Sequence, residues 1–287
     1  MNKIAFEGLN LEFNINKVAI SLGNKSVYWY GIIIACGFFL GWAYVMMSAK
    51  KEKFNTDHVF DIAIYGLIFG VIGARIYYVL FDRSVIEDGF WHIFCIWEGG
   101  IAIYGAIIGA VLSTYVYCKR KNLSVLYVFD LCVIGLMIGQ MVGRWGNFFN
   151  VEVYGTETNL PWRMSINGGA GVHPLFLYES LWMFAGIVAL HFYKAHKKFD
   201  GEIFFLYILW YGLGRVWIEG LRKTDYILYL VKDKVAVSQV VSVVCIVFGI
   251  AALTIGYRNA AKRHGVIDEK ECETAEIAVE KDEGKNV

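Results

Sequence analysis

The chain has 287 residues, of which 57% are hydrophobic and 18% charged, with 27 Lys and Arg against 26 Asp and Glu. Its mean hydropathy is +0.48. A chain this apolar is not disordered, and one this evenly charged has no basic excess for nucleic-acid phosphates, which leaves an integral membrane protein.

Taken in chain order, residues 9–15 alternate Leu9, Leu11, Phe13 and Ile15 with Asn10, Glu12 and Asn14, a period of two that predicts a short strand or an interfacial segment. The first 26 residues lack the basic-then-apolar pattern of a cleaved signal, so the N-terminus is expected to be kept. Three uncharged stretches, 26–49, 99–118 and 235–257, are long enough to cross about 30 Å of hydrocarbon as helices. Four more, roughly 58–81, 125–144, 173–193 and 201–221, are as apolar but interrupted by ionisable groups. The runs are continuous and lack the alternation of a barrel. The expected fold is therefore an all-α polytopic membrane protein, a bundle of about seven transmembrane helices over residues 1–258 with a small extracytoplasmic segment. Residues 259–287, rich in Glu, Lys and Asp, read as a charged cytoplasmic tail, expected to be disordered.

Glycines at helical spacing (Gly66 and Gly70; Gly105 and Gly109; Gly135, Gly139 and Gly143) predict close helix–helix packing. The six Cys form no CxxC pair and the six His no HExxH, so the cysteines read as small hydrophobes and no metal or cofactor is expected. Asn24 and Asn122 each open a glycosylation sequon, a short and weak signal.

Loops 49–57, 119–124 and 194–200 carry Lys50, Lys51 and Lys53; Lys119, Arg120 and Lys121; and Lys194, Lys197 and Lys198. The opposite loops are longer and hold fewer, although Arg222, Lys223, Lys232 and Lys234 gather in one of them. By the positive-inside rule the first set is cytoplasmic, the N-terminus outside and the tail inside. On that topology Arg75, Arg144, Glu179, Arg215 and Glu219 all fall toward the outer ends of their spans. Only Asp130 lies near an inner end, where an interfacial position would account for it. Each intramembrane charge costs about 2.5–3.5 kcal/mol on insertion scales unless it meets a partner or a polar cavity. A shared outward-facing cavity explains the one-sidedness, and its arginines suit a phosphate. Internal Arg–Glu pairs that merely lock the bundle are the plain alternative. Tyr211, Arg215, Glu219 and Arg222, spaced by 4, 4 and 3, make one stripe. An anion or lipid transporter of the same spans is the rival function, though no repeat of its halves is evident.

Several segments resemble one bacterial family. Gly143-Arg-Trp-Gly-Asn-Phe-Phe-Asn-Val-Glu-Val-Tyr-Gly155 is similar to the signature of the phosphatidylglycerol–prolipoprotein diacylglyceryl transferases. His173-Pro-Leu-Phe-Leu-Tyr-Glu179 and Tyr211-Gly-Leu-Gly-Arg215 through Glu219, Arg222 and Asp225 resemble two further family segments, as do Tyr30-Gly31 and Gly73-Ala-Arg75-Ile-Tyr-Tyr78. The resemblance covers about residues 20–258. Many members carry His where this chain has Tyr104 in Trp97-Glu-Gly-Gly-Ile-Ala-Ile-Tyr-Gly105, and others carry Tyr. An unperturbed Tyr near pKa 10 is a poor base at neutrality.

The resemblance implies two substrates: phosphatidylglycerol, and the lipobox Cys in the signal peptide of a preprolipoprotein. It implies transfer of diacylglyceryl to that thiol with release of glycerol phosphate, at the bacterial plasma membrane among its lipids and without nucleic acid. Arg144 is the first candidate for the phosphate and Arg215 the second. Asn147 and Asn150 are placed to bond the headgroup, or else to turn the chain out of its helix. Glu152, Glu179 and Glu219 are candidates for orienting an Arg or taking the thiol proton, and His173 for the base. Tyr30, Tyr104 and Tyr211 suit positioning of headgroup oxygens, Arg222 adds to the binding set, and Arg75 is either a substrate contact or structural.

Overall fold

The computed structural model describes all residues except 24, 82–89, 95–99, 224–228, 232–234 and 284–287; for 22, 25, 90, 93, 229–231, 235 and 264–283 it describes the backbone alone. The Asn24 sequon, the Trp97-Glu-Gly motif and Asp225 fall outside the described residues. Among those described, seven long helices form: α1 (Trp29–Lys51), α2 (Thr56–Phe81), α3 (Ile103–Arg120), α4 (Val125–Asn150), α5 (Leu175–Tyr193), α6 (Glu202–Glu219) and α7 (Val237–Glu283). Each predicted span falls on one of them. α7 runs on through the charged stretch beyond Arg258.

Among the described residues five helical stretches are long and apolar enough to cross a membrane: Trp29–Lys51, Thr56–Phe81, Val125–Asn150, Leu175–His196 and Val237–Arg263. The chain is therefore a mostly helical integral membrane protein. α3 and α6 stand outside that set for a compositional reason: α6 carries Glu202, Arg215 and Glu219, and α3 includes three Tyr and ends in Lys119 and Arg120. The chain divides into two compact units, Gly31–Gly143 and Met1–Tyr30 with Arg144–Val287.

In the first unit the basic loops are tight helix–helix turns. Lys50 and Lys51 close α1, and Lys53 adopts φ 55°. The Asn55 side chain then caps α2 by accepting the Asp57 N–H at 2.9 Å. Asn122 repeats the left-handed turn at φ 53°, and Ser124 Oγ caps α4 through the Tyr127 N–H at 3.3 Å. Glycines then bring the helices together. A Cβ on Gly73 or Gly105 would overlap the other's carbonyl, and one on Gly41 would strike the Gly135 carbonyl. Gly66 differs, because its Cβ would meet nothing within 4 Å; the α2 partner of Gly105 is Gly73. Two polar ties reinforce the α2–α3 contact, since Tyr117 donates to Asp61 at 2.6 Å and bonds His58 Nδ1 at 2.8 Å. Cys118 is fully buried beside Ile62 and Val128 as a small hydrophobe. Asp130 is 1% exposed, enclosed by its neighbours in this unit.

In the second unit β1 (Asn2–Phe6) pairs antiparallel with β2 (Leu11–Ile15) and with β5 (Ser165–Ile166), in the order β2-β1-β5. Ile15 is the buried residue of β2, whereas Leu11 and Phe13 are exposed, so the alternation at 9–15 marks a strand without burying one whole face. Ile4, Phe6 and Ile15 pack with Phe148, Met164, Val172 and Phe176, tying this sheet to the end of α4 and the start of α5. A hairpin of β3 (Val18–Leu22) and β4 (Lys25–Tyr28) leads into α1, and β6 (Tyr229–Val231) pairs with β7 (Val235–Ala236) before α7. At the far end of α5 the fully buried Glu202 accepts the hydroxyls of Tyr193 and Tyr257, each at 2.5 Å, which joins α5, α6 and α7.

A bulky residue at position 105 separates two backbones in contact, whereas one at 66 meets open space. Gly105→Leu should lower the thermal unfolding temperature in detergent, with a cost of at least about 1–3 kcal/mol. Gly66→Leu should leave that temperature nearly unchanged.

Candidate functional site

Three guanidiniums and two carboxylates converge where α4, α5 and α6 present their charged ends. Arg144 lies in the last two turns of α4, Glu179 in the second turn of α5, and Arg215 and Glu219 in the last turns of α6, with Arg222 just beyond. Glu179 is the hub. Its Oε2 is 2.6 Å from Arg144 Nε, and its Oε1 accepts Arg215 Nη1 at 3.1 Å and Arg222 Nη2 at 3.2 Å. Glu219 Oε2 lies 3.1 Å from both Arg215 Nη2 and Arg222 Nε, as charge contacts without hydrogen-bond alignment. Glu179, Glu219 and Arg222 are buried at 5%, 3% and 8% exposure, while the Arg144 side chain keeps 26%.

The arrangement leaves one positive charge in excess. It also leaves one cation with donors to spare: Arg144 reaches Glu179 through Nε, and neither of its Nη groups has a partner among the described residues. A guanidinium anchored at Nε with both Nη free is posed to take an anion through parallel N–H bonds.

The chain around this network is held by close backbone approach. Gly155 N–H donates to the His173 carbonyl at 2.9 Å, Thr156 N–H to the Leu221 carbonyl at 2.9 Å, and Gly155 bridges to Arg222. A Cβ on Gly155 would come within 2.6 Å of His173 Cβ and 2.7 Å of the Leu221 carbonyl oxygen, so only glycine fits between them. Gly146 serves the same end for Tyr30, whose ring lies 2.7 Å from where that Cβ would be. The turn that leaves α4 is strained. Val151 and Val153 adopt φ 54° and 57°, a region costly for β-branched residues. Val151 packs against the sheet core and is held there.

The other candidates are placed as follows. Asn150 Nδ2 donates to Glu152 Oε1 at 3.2 Å, within the strained turn. Asn147 is half-buried on α4, and its carbonyl accepts the Glu152 N–H at 3.1 Å. Tyr211 lies one turn before Arg215, its ring 6.1 Å from that of Tyr207. Tyr30 is 39% exposed at the start of α1. His173 Nδ1 bonds the Tyr178 hydroxyl at 3.2 Å, and that hydroxyl accepts Trp162 Nε1–H at 2.7 Å. Burial holds the His173 pKa below its ordinary value, so the ring is neutral at pH 7. Arg75 and Tyr104 belong to the other unit. There Arg75 is 7% exposed and donates to main-chain carbonyls, and Tyr104, in the first turn of α3, is 41% exposed with its ring 6.3 Å from that of Tyr77.

Sequence reasoning passed over Trp162 and Tyr178 as partners of His173. Tyr178 stood next to Glu179 in a motif and carried a signal, but Trp162 lies in an aperiodic segment and carried none. The hub role of Glu179 was equally hidden, because the pattern ranked it beside Glu152 and Glu219.

A mostly helical chain with several apolar spans that buries such a network is a membrane protein with a charged cluster at the ends of three of its elements. Comparison with known proteins makes this specific. The family described as prolipoprotein diacylglyceryl transferase matches residues 17–255. Relatives named phosphatidylglycerol–prolipoprotein diacylglyceryl transferase include a protein of Finegoldia magna, 42% identical over 246 residues that cover 85% of this chain and 97% of the relative. One from Clostridioides difficile is 40% identical over 238 residues, covering 83% and 94%. One from Staphylococcus aureus is 40% identical over 258 residues, covering 85% and 91%. The chain belongs to the prolipoprotein diacylglyceryl transferase family.

Removal of the hub carboxylate strands Arg144 and leaves Glu219 alone to meet the buried Arg222 and the half-buried Arg215. Glu179→Ala should cost about 3–5 kcal/mol, measured as thermal unfolding in detergent. For His173 the folded pKa lies below the unfolded value of about 6.5, so the stability that neutral burial confers is complete above that pH and is lost as the pH falls through it. His173→Gln should therefore shrink the drop in unfolding temperature between about pH 7.5 and pH 5.5.

Proposed function

We propose that this protein transfers the diacylglyceryl group of phosphatidylglycerol to the lipobox cysteine thiol of a preprolipoprotein, the first step of bacterial lipoprotein maturation. Family membership and the names of the relatives support the activity, and the Arg144–Glu179–Arg215–Glu219–Arg222 network is the observation that carries the mechanism. In the reaction the sulfur attacks the glyceryl carbon that bears phosphate. A C–S bond forms, the C–O bond to phosphate breaks, the thiol loses its proton, and glycerol phosphate leaves with the electron pair.

Arg144 is the phosphate ligand in this reading, with Arg215 and Arg222 supplying field from behind the two carboxylates. The excess single positive charge matches a phosphodiester, which carries one negative charge. The phosphomonoester product carries about −1.5 to −2 near neutral pH and over-compensates the cluster, which favours its departure. Glu179 and Glu219 are committed to guanidiniums. That leaves neutral His173, and Glu152 with its single amide contact, to accept the thiol proton. Asn147, Asn150, Tyr30 and Tyr211 position headgroup oxygens. The substrate brings its own nucleophile, so no Cys of this chain is needed.

We read all seven helices as membrane spans of the bacterial plasma membrane. The lysine-rich turns lie at the cytoplasmic face, and the N-terminal sheet, the network and the site lie toward the outer leaflet, for the charge asymmetry described above. Residues 259–287 then extend into the cytoplasm. The transporter reading has nothing comparable in its favour.

Purified protein in detergent or nanodiscs, incubated with phosphatidylglycerol and a lipobox peptide, should add one diacylglyceryl mass to the peptide Cys. Arg144→Ala should lose about 10²–10³-fold in that transfer while inserting and folding normally. Full activity in that variant would remove Arg144 from the phosphate.

A further inference from the structure

Arg75 is the interrupting charge that the anion-binding network does not contain. It lies on α2 at 7% exposure, and two of its donors go to the main chain: one from Nη1 to the Gly100 carbonyl at 2.8 Å, and one from Nη2 to the His92 carbonyl. The guanidinium carbon sits 5.8 Å from the centre of the Tyr78 ring. Gly100 is shaped to this grip. Its φ is +72°, and a Cβ there would come within 2.6 Å of both Arg75 Nη1 and the Tyr78 ring. One step further, Ala102 N–H donates to the Ala74 carbonyl at 3.1 Å.

These contacts do for α3 what a capping side chain usually does. Its N-cap position is Ala102, in an extended conformation, which offers no side-chain hydrogen bond. An uncapped helix start frays unless something outside the helix fixes it. Here α2 supplies the fixing, through Arg75 on Gly100, Ala74 on Ala102 and Gly73 against Gly105. Tyr104 lies inside that bracket, in the first turn of the helix.

We infer that Arg75 is a positioning residue: it pins the start of α3 and thereby sets the place of Tyr104, and it does not bind the substrate phosphate. The inference adds Tyr104, a candidate from the family resemblance, to the proposed reaction, and only its kinetic consequences rest on that reading. A planar fork can serve two carbonyls eight residues apart in sequence; the single ammonium of lysine keeps the charge but loses the geometry. A phosphate ligand would show the reverse preference, since lysine still binds phosphate as a point charge.

The test uses the full chain in nanodiscs, with 3-fluorotyrosine at position 104 read by fluorine NMR and kinetics measured in parallel on the unlabelled chain. Arg75→Lys and Gly100→Ala should each shift or broaden the fluorine signal. Arg75→Lys should also lower kcat at least about tenfold while the KM for phosphatidylglycerol stays within about twofold. In a Tyr104→Phe background the same change should add little, because residues that act through one another are not additive. An unmoved fluorine signal in both variants overturns the inference whatever the reaction is. So does an Arg75→Lys enzyme that keeps its kcat, or an effect confined to KM that adds fully to Tyr104→Phe. Should Arg75→Lys fail to fold, Gly100→Ala carries the same readouts. A wild-type protein that transfers nothing, yet whose fluorine signal responds to both variants, would sink the transferase reading and leave the positioning role standing.

Discussion

Two carboxylates buried among three guanidiniums set the terms for the site-bearing unit. Taking a charge out of water costs several kcal/mol, and the cost is recovered only when opposite charges and hydrogen bonds meet it from several sides. Glu179 meets that condition through Arg144, Arg215 and Arg222, which come from α4, α6 and the chain just after α6. The ends of these elements are thus tied to a single carboxyl group on α5. A rearrangement that freed one of these arginines would leave a charge without its partner, so the network constrains the helix ends more tightly than apolar packing does.

Chemistry follows from the network being unevenly satisfied. Arg215 and Arg222 are shared between both carboxylates, whereas Arg144 touches one of them through one nitrogen. On the proposed function that inequality is what makes the cluster a binding site: the deeper pairs hold Arg144 in place, and its remaining donors are offered to the phosphate. The strained turn at Val151 and Val153 and the tight fit of Gly155 carry the same theme into the backbone. The sheet core anchors the turn on one side, and the approach of His173 and Leu221 allows no side chain on the other.

The other unit solves a different problem, that of placing one aromatic side chain on a helix without a capping residue. Glycine contacts set the spacing of α2 and α3, and Arg75 sets where α3 begins. An arginine on the main chain and an arginine on a carboxylate look alike in a sequence, since both appear as a charge inside an apolar run. They differ in what a substitution does, because the first role needs the fork and the second needs the charge.

Much of the fold could be read from the chain itself. Long apolar runs, lysine-rich turns, glycines four residues apart and the arginine–glutamate stripe near position 215 reflect local rules of hydropathy and helical periodicity. Those rules act over a few turns, so the long helices, the strand near residue 11 and the members of the charge cluster were legible. The 143–155 signature identified the family for a different reason, the number of fixed positions. Pairing was not legible. That Glu179 is the hub, that Tyr178 and Trp162 hold His173, that Gly105 meets Gly73, and that Arg75 serves carbonyls are contacts between residues 5 to 43 positions apart. No periodicity connects them. Composition and spacing determined which groups must leave water; the packing of the helices alone decided which partner each of them found.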